Sequence, residues 1–225
     1  MSYGHEVLNG GVAALMRLCG YRIDSFHEKL LAFQEGNETT LQLAPRGWGK
    51  STVGVVGNCA FDTIVSEKAD ILLASPCGRG SEKQIRSILA DGNVVKFFGR
   101  PALRIVVVDV GDEVDGDFDY VYVDDTVTFR NTRHPQQIED TIEWFHTSLA
   151  PYIGESTFRV LGSRYCPADL YASLQYDPRF QVELYPATTP EGESNNPEIW
   201  PTQYFESTRK TMTEEWFRMQ YNQGV

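Results

Sequence analysis

Nowhere in this chain do about 18 apolar residues run together, so no membrane-spanning helix is expected. Residues 1–18 lack the basic opening of a secretion signal and carry Gly10-Gly11. Cysteine is sparse. Cys19, Cys59, Cys77 and Cys166 lie far apart, with no CxxC pair and no histidine at zinc-ligand spacing, and this predicts a reducing compartment without a zinc site. Basic residues are also in deficit, 20 Lys and Arg against 31 Asp and Glu, for a formal net charge of −11. That excludes a sequence-tolerant DNA coat and a polybasic membrane binder, whose affinity comes from neutralising phosphates; any nucleic-acid contact has to be local. No internal repeat is visible, which excludes a solenoid. With 225 residues and 41% hydrophobic content, the expectation is a soluble, intracellular protein of one large domain, or one domain with a small appendage.

Short apolar runs alternate with segments of helical spacing. Ile23, Phe26, Leu30 and Leu31 share a helical face, Gly36-Asn37 interrupts it, and residues 39–43 read as a strand. From Lys50 onward Val53, Val56, Ala60, Phe61 and Ile64 form a second apolar stripe, which leads into a strand at 69–74. Ser81 with Gln84 three residues on has the form of a capping box and predicts a helix opening there, with Ile85, Ile88 and Leu89 on its apolar face. Residues 103–108 and 120–123 are further apolar runs. Pro135 suits the first turn of a helix with Ile138, Ile142, Phe145 and Leu149 on one face. A strand at 157–161, a short helix at 167–174 and a strand at 181–185 follow. This alternation predicts an α/β fold with a mainly parallel central sheet flanked by helices on both faces. Three prolines, Gly192 and Asn195-Asn196 mark residues 188–201 as a loop leaving the sheet, and helical patterns follow at about 202–210 and 213–221. Residues 1–187 are therefore expected to form the core. Residues 188–225 are expected to form a linker and a small C-terminal helical appendage, whose Phe205, Trp216, Phe217 and Met219 need a surface to pack on.

Between the first strand and the second helix stands Ala44-Pro45-Arg46-Gly47-Trp48-Gly49-Lys50-Ser51-Thr52. It follows the pattern GxxxxGK[ST] except that Ala44 replaces the first glycine. In that pattern glycines let successive backbone N–H groups close around the phosphates of a nucleotide at a helix N-terminus. Lys50 would reach the β and γ phosphates and Ser51 would ligate Mg²⁺, so residues 45–52 are expected to bind ATP.

Such a loop needs an acid from the end of a neighbouring strand to hold the magnesium shell. Asp109 follows the more hydrophobic run, whereas residues 120–123 end in Asp124-Asp125. The pair is the better candidate. Adjacent residues at a strand end point in opposite directions, so Asp124 is expected to hold the metal's water shell while Asp125 turns toward the γ phosphate as general base or water positioner. From Asp109 to Asp125 there are eight acids and no base. An EF-hand alignment fails there, because placing Gly116 at the sixth position puts Gly111 first and Tyr122 twelfth. A solvated acidic hairpin is the expectation.

These segments, taken in order with Phe26-His27, Gly162-Ser163-Arg164, Asp169-Leu170-Tyr171, Tyr185-Pro186-Ala187, Ile199-Trp200-Pro201 and residues 217–221, resemble the ATPase half of the large terminase subunit, the DNA-packaging motor of tailed phages and related viruses. The resemblance implies a P-loop NTPase core of the additional-strand type, with Mg²⁺-dependent ATP hydrolysis driving viral double-stranded DNA into a procapsid. It implies that Lys50, Asp125 and Arg46 are catalytic, with Arg46 contacting phosphate, and that Asp125 stands where the family usually has Glu. It further implies that Phe26 and His27 flank the adenine and that Gly162, Ser163 and Arg164 form a coupling segment sensing the γ phosphate. A finger arginine acting on a neighbouring subunit would come from Arg79, Arg86, Arg100 or Arg104; residues 79–104 hold six basic residues against two acids. Implied partners are a portal protein, a small terminase subunit and copies of the chain itself in a ring on the procapsid, with a monomer in isolation, in the host cytoplasm and without a membrane. The family's second, nuclease domain has no counterpart in these residues, so no nuclease activity is expected. A P-loop small-molecule kinase and a nucleotide-binding assembly module without turnover are the competing classes.

Overall fold

The structure, a computed structural model, describes residues 3–66 and 68–224. One sheet contains β1 (Thr39–Leu43), β2 (Asp70–Ala74), β3 (Arg104–Val108), β4 (Tyr120–Asp124), β5 (Thr157–Gly162) and β6 (Gln181–Leu184). Their order is β3-β2-β4-β5-β1-β6, and every pairing is parallel. The fold is thus α/β, and its sheet is wholly rather than mainly parallel. Strands β1, β2 and β4 are buried from their second residue onward, as strands covered on both faces must be. At the edge, β3 leaves Arg104 and Val106 exposed.

One face of the sheet sends Ile71, Leu73, Tyr122 and Leu161 into a core shared with α1 (Tyr3–Leu18), α2 (Ser25–Glu35), α3 (Asn58–Val65), α4 (Gly78–Leu89) and α5 (Gly92–Phe98). The other face sends Leu41, Leu43, Leu72, Val121, Val123 and Val160 toward α6 (Pro135–Trp144), the π-helical turn Phe145–Leu149 and α7 (Leu170–Leu174). Helix α2 opens on a reciprocal capping box between Asp24 and His27, which satisfies two N-terminal amides and fixes where the helix begins. After the loop that follows β1, residues Thr52–Gly57 form a π-helical stretch before α3 begins.

Several expectations are corrected. Strands β1 and β4 are not neighbours, because β5 lies between them and pairs with both. The acidic segment is not a hairpin. β3 and β4 each pair in parallel with β2, on opposite sides of it, so residues 109–119 must travel back along the sheet. They do so with Val110, Val114 and Phe118 against the second core, held where Trp144 Nε1 donates to Asp112 O at 2.9 Å and Ser156 Oγ donates to Phe118 O at 2.6 Å. Ser81 caps no helix; it is buried within α4, which begins three residues earlier after Cys77. Helix α1 was not foreseen, because Gly10-Gly11 breaks its apolar spacing. The backbone is indeed non-helical at Gly11, yet Val12, Leu15 and Met16 are buried beyond it.

The C-terminal helices α8 (Thr202–Arg209) and α9 (Glu214–Asn222) pack on the first core. Phe205 and Phe217 belong to the same cluster as Phe26, Trp48 and Tyr185. Ala187 N donates to Tyr221 O at 2.8 Å, fixing α9 beside the end of β6.

Candidate functional site

The segment after β1 stays in register with β5 for one more residue. Ala44 N donates to Gly162 O at 3.0 Å, and Ser163 Oγ donates to Ala44 O at 2.8 Å. Pro45 is buried, with no N–H to satisfy, while Arg46 and Gly47 are exposed. Gly47 and Gly49 have φ of +80° and +76°, a left-handed geometry that side chains disfavour. A Cβ on Gly49 would also lie 2.7 Å from His27 Nε2. Beneath the loop, Phe26 meets Trp48 and Tyr185 edge-on, with ring centroids 5.1 Å and 5.2 Å away. His27 Nε2 lies 2.9 Å from Trp48 O, and Nδ1 lies 3.0 Å from Asp24 Oδ1 and 3.3 Å from Asp24 N, so both ring nitrogens are engaged. Phe26 and His27, expected beside a base, are buried supports of the loop and line neither cleft in front of it.

Two consecutive loop residues meet the two consecutive carboxylates. Lys50 Nζ donates to Asp125 Oδ2 at 3.0 Å, and Ser51 Oγ donates to Asp124 Oδ1 at 2.7 Å. The reach spans the intervening β5 because both segments project past the strand ends. The two carboxylates do not point apart as expected. Asp125 has left-handed φ, 48°, which takes it out of the strand's alternation, and its N–H donates to Leu161 O at 2.9 Å. That geometry is tolerable for Asp but costs on the order of 1–3 kcal/mol, so it persists only where its surroundings enforce it. Asp125 Oδ1 is buried with no hydrogen-bond partner among the described residues. Burial, and then the charge of Asp125, pushes the Asp124 carboxyl up to about 7, opposed by Ser51, Lys50 and Ser75. Ser75, at the end of β2, was not singled out from the sequence; the small polar residue following residues 69–74 was its signal.

A cleft of about 260 Å³ opens over Gly47, Gly49 and Lys50. It shares Arg46, Ser51, Thr52 and Asp125 with a second cleft of about 240 Å³ that extends to Ser75, Cys77, Gln84, Thr128 and Tyr165. A hollow of about 550 Å³ beside α8 and another of about 310 Å³ beside α5 are lined by none of these residues. Arg46 holds its guanidinium 6.0 Å from the Tyr165 ring centre and lines both clefts.

The segment 162–164 adjoins the loop but divides in role. Gly162 and Ser163 bond the loop backbone. The Arg164 guanidinium instead pairs with Asp169 Oδ1 at 2.8 Å and donates to Cys166 O and Pro167 O, both at 3.1 Å, so it is committed to the turn before α7. Arg79, Arg86, Arg100 and Arg104 are all exposed. Arg86 pairs with Glu82 at 2.7 Å, and Arg104 pairs with Asp70 at 2.8 Å at the N-terminal end of β3, the end of the sheet away from the loop.

Behind the loop lies a buried polar network. Arg159 NH1 donates to Tyr122 OH at 2.8 Å and to Asn58 Oδ1 at 2.7 Å, Tyr122 OH donates to Asp62, and Asn58 Nδ2 donates to Gln34 Oε1 at 2.8 Å. Its trace in the sequence was a lone Arg within an apolar strand and an Asp within an apolar helix.

Among the described residues no three His, Cys, Asp or Glu side chains converge as a ready-made metal cage. The hard oxygen donors at Ser51 and Asp124, with the unpartnered Asp125 Oδ1 close by, instead suit magnesium, which takes one or two protein carboxylates and fills its shell with water and phosphate oxygens. No protein-family model matches this chain, and no curated protein matches it either.

Proposed function

We propose that the chain is a P-loop ATPase of the additional-strand class and that it serves as the ATPase domain of a terminase-like DNA-packaging motor. The observation that carries the nucleotide reading is the double pairing of Lys50 with Asp125 and Ser51 with Asp124 across an intervening strand. A strand inserted between the phosphate loop and the acidic strand is the topology the additional-strand class requires, so the corrected strand order supports this reading. Support also comes from the left-handed Gly47 and Gly49, the backbone geometry a phosphate cradle uses, and from the cleft that Arg46, Gly47, Gly49, Lys50 and Ser51 line.

In this reading the loop amides bind the triphosphate. Lys50, held on Asp125, exchanges that carboxylate for the β and γ phosphates, which frees Asp125 to orient or deprotonate the attacking water. Ser51 and Asp124 would hold Mg²⁺, which would supply positive charge to neutralise the phosphates. Arg46 lies at the carboxylate end of the cleft, where it adds positive charge toward the terminal phosphate. The motor assignment, with viral DNA, portal protein, small subunit and ring as partners, rests on the order of motifs.

The test is phosphate release from Mg-ATP, with and without double-stranded DNA, for the wild type, Lys50→Ala and Asp125→Ala. Turnover is expected in the wild type, stimulated by DNA, and none in Lys50→Ala. Wild-type release no higher than that of Lys50→Ala would overturn the ATPase reading. Indifference to DNA would overturn the motor.

A further inference from the structure

We infer that Trp200 is the wall against which the purine base of the bound nucleotide stacks. This deepens the nucleotide reading above and rests on it. The pairs at Lys50 and Ser51 fix the terminal-phosphate and cation end of the loop toward β4. The nucleoside must therefore leave the cradle elsewhere; of the two exposed loop residues, Arg46 turns to Tyr165, which leaves Gly47. Trp200 stands at that flank: its Cζ2 and Cη2 lie 3.6 Å and 3.9 Å from the position a Gly47 Cβ would take. Of the other rings near the loop, Tyr165 lines the second cleft beside Asp124 and Asp125, at the cation end, and Phe26 and His27 are buried beneath the loop.

The indole is held in place and remains only partly covered. Trp200 N donates to Asn196 O at 2.9 Å, and Asn196 Nδ2 reaches Asp24 Oδ2 at 3.4 Å, tying residues 196–200 to the cap of α2 that also carries His27. The Trp200 ring rests on Tyr204 at 4.7 Å between centroids, and Tyr204 rests on the buried Phe205 at 5.2 Å. A large ring anchored on one side and partly exposed, next to a glycine of the proposed phosphate loop, matches what a base needs: a flat apolar surface at fixed distance from the phosphates.

The test is titration calorimetry of the full chain with Mg-ATP, Mg-GTP and inorganic tripolyphosphate, for the wild type, Trp200→Ala and Trp200→Phe. Stacking on an aromatic face accounts for roughly tenfold to a hundredfold in affinity and tolerates either purine. Trp200→Ala should therefore lose about that factor for both nucleotides while binding tripolyphosphate within about twofold of wild type, and Trp200→Phe should recover most of the loss. Unchanged ATP affinity in Trp200→Ala would overturn the inference. Equal losses for ATP and tripolyphosphate would also overturn it, because Trp200 would then only be supporting the loop. If the wild type binds tripolyphosphate and not one nucleotide more tightly, the base site falls and the phosphate cradle stands. If the wild type binds neither, the nucleotide reading falls first and takes this one with it.

Discussion

Strands β3 and β4 both run from branched apolar residues into aspartate, and they leave their carboxylates in opposite settings. Asp109 follows the more hydrophobic run, but β3 is an edge strand. Asp109 is exposed, its Oδ1 accepts from Val110 N at 2.8 Å, and its own N–H donates to Asp112 Oδ2 at 2.8 Å, so it serves a local turn. Strand β4 lies between β2 and β5, and Asp124 is buried against Ser51. Hydrophobicity alone favours the strand whose aspartate stays clear of the loop. What separates them is place in the sheet, which decides whether an aspartate at the strand end meets water or a loop from another strand.

The largest expected effect tests that difference directly. Asp124→Asn should lower Mg-ATP turnover by about a thousandfold, the scale of removing one group from a preorganised charge-stabilising site, while Asp109→Asn should stay within about twofold. Phosphate release measures both. Comparable losses in the two variants would mean that the edge strand contributes to the site after all.

Arginines give a second version of the same contrast. Arg159, in the middle of β5, is buried with Tyr122, Asn58 and Asp62, whereas Arg104 on β3 is solvent-exposed. Arg159→Met keeps the bulk and removes the charge, leaving Asp62 buried among apolar groups and Tyr122. The loss should be about 3 kcal/mol, the low end for removing one charge from a buried ionic network, because Arg159 reaches Asp62 through Tyr122 OH and Asp62 can escape by protonation. Urea unfolding reads it; a loss below about 1 kcal/mol would mean that the network is redundant.

How much of this was legible in the sequence follows from what each feature depends on. Local features read well: residues 39–43 and 120–123 declared themselves as strands by composition, and Gly47, Gly49 and Lys50-Ser51 declared a loop by backbone need. Strand order did not, because nothing local in β1, β4 or β5 states which strand lies between the others. From sequence the acidic crossover reads as a hairpin, because its charges mask Val110, Val114 and Phe118, which are spaced every fourth residue and packed against the core. Ser81 fitted the capping pattern, but a start at Gly78 lets α4 bury Ser81, Ile85 and Ile88 on one side, and packing outweighed the cap. The network around Arg159 needed partners from α2, α3, β4 and β5 at once.

A smaller effect lies in the pH dependence of that network. Burial pushes the Asp62 carboxyl up to about 6 from its ordinary 3.8, against the pull of Arg159 and Tyr122. The folded state therefore holds this proton more tightly than the unfolded state does. The resulting stabilisation is fully present below about pH 4 and is lost as the pH rises through about 6. Relative to Asp62→Asn, the wild type should lose roughly 2 kcal/mol between pH 4.5 and 7.5, from unfolding curves of both proteins at each pH. A difference that grows with pH would show that Arg159 outweighs burial and holds Asp62 ionised.

The smallest effect belongs to Arg104, and it checks the edge itself. Its pair with Asp70 is short, 2.8 Å, but the side chains are 55% and 32% exposed. In water such a pair contributes little, because both charges are already solvated and salt screens what remains. Arg104→Ala should therefore cost under about 1 kcal/mol, and less still in high salt. Distance does not distinguish Arg104 from Arg159, since both make bonds below 3 Å; the dielectric around them does. A cost of about 2 kcal/mol or more, insensitive to salt, would mean that the β3 edge is shielded from water in solution, and Asp109 at the other end of the same strand would then have to be reconsidered.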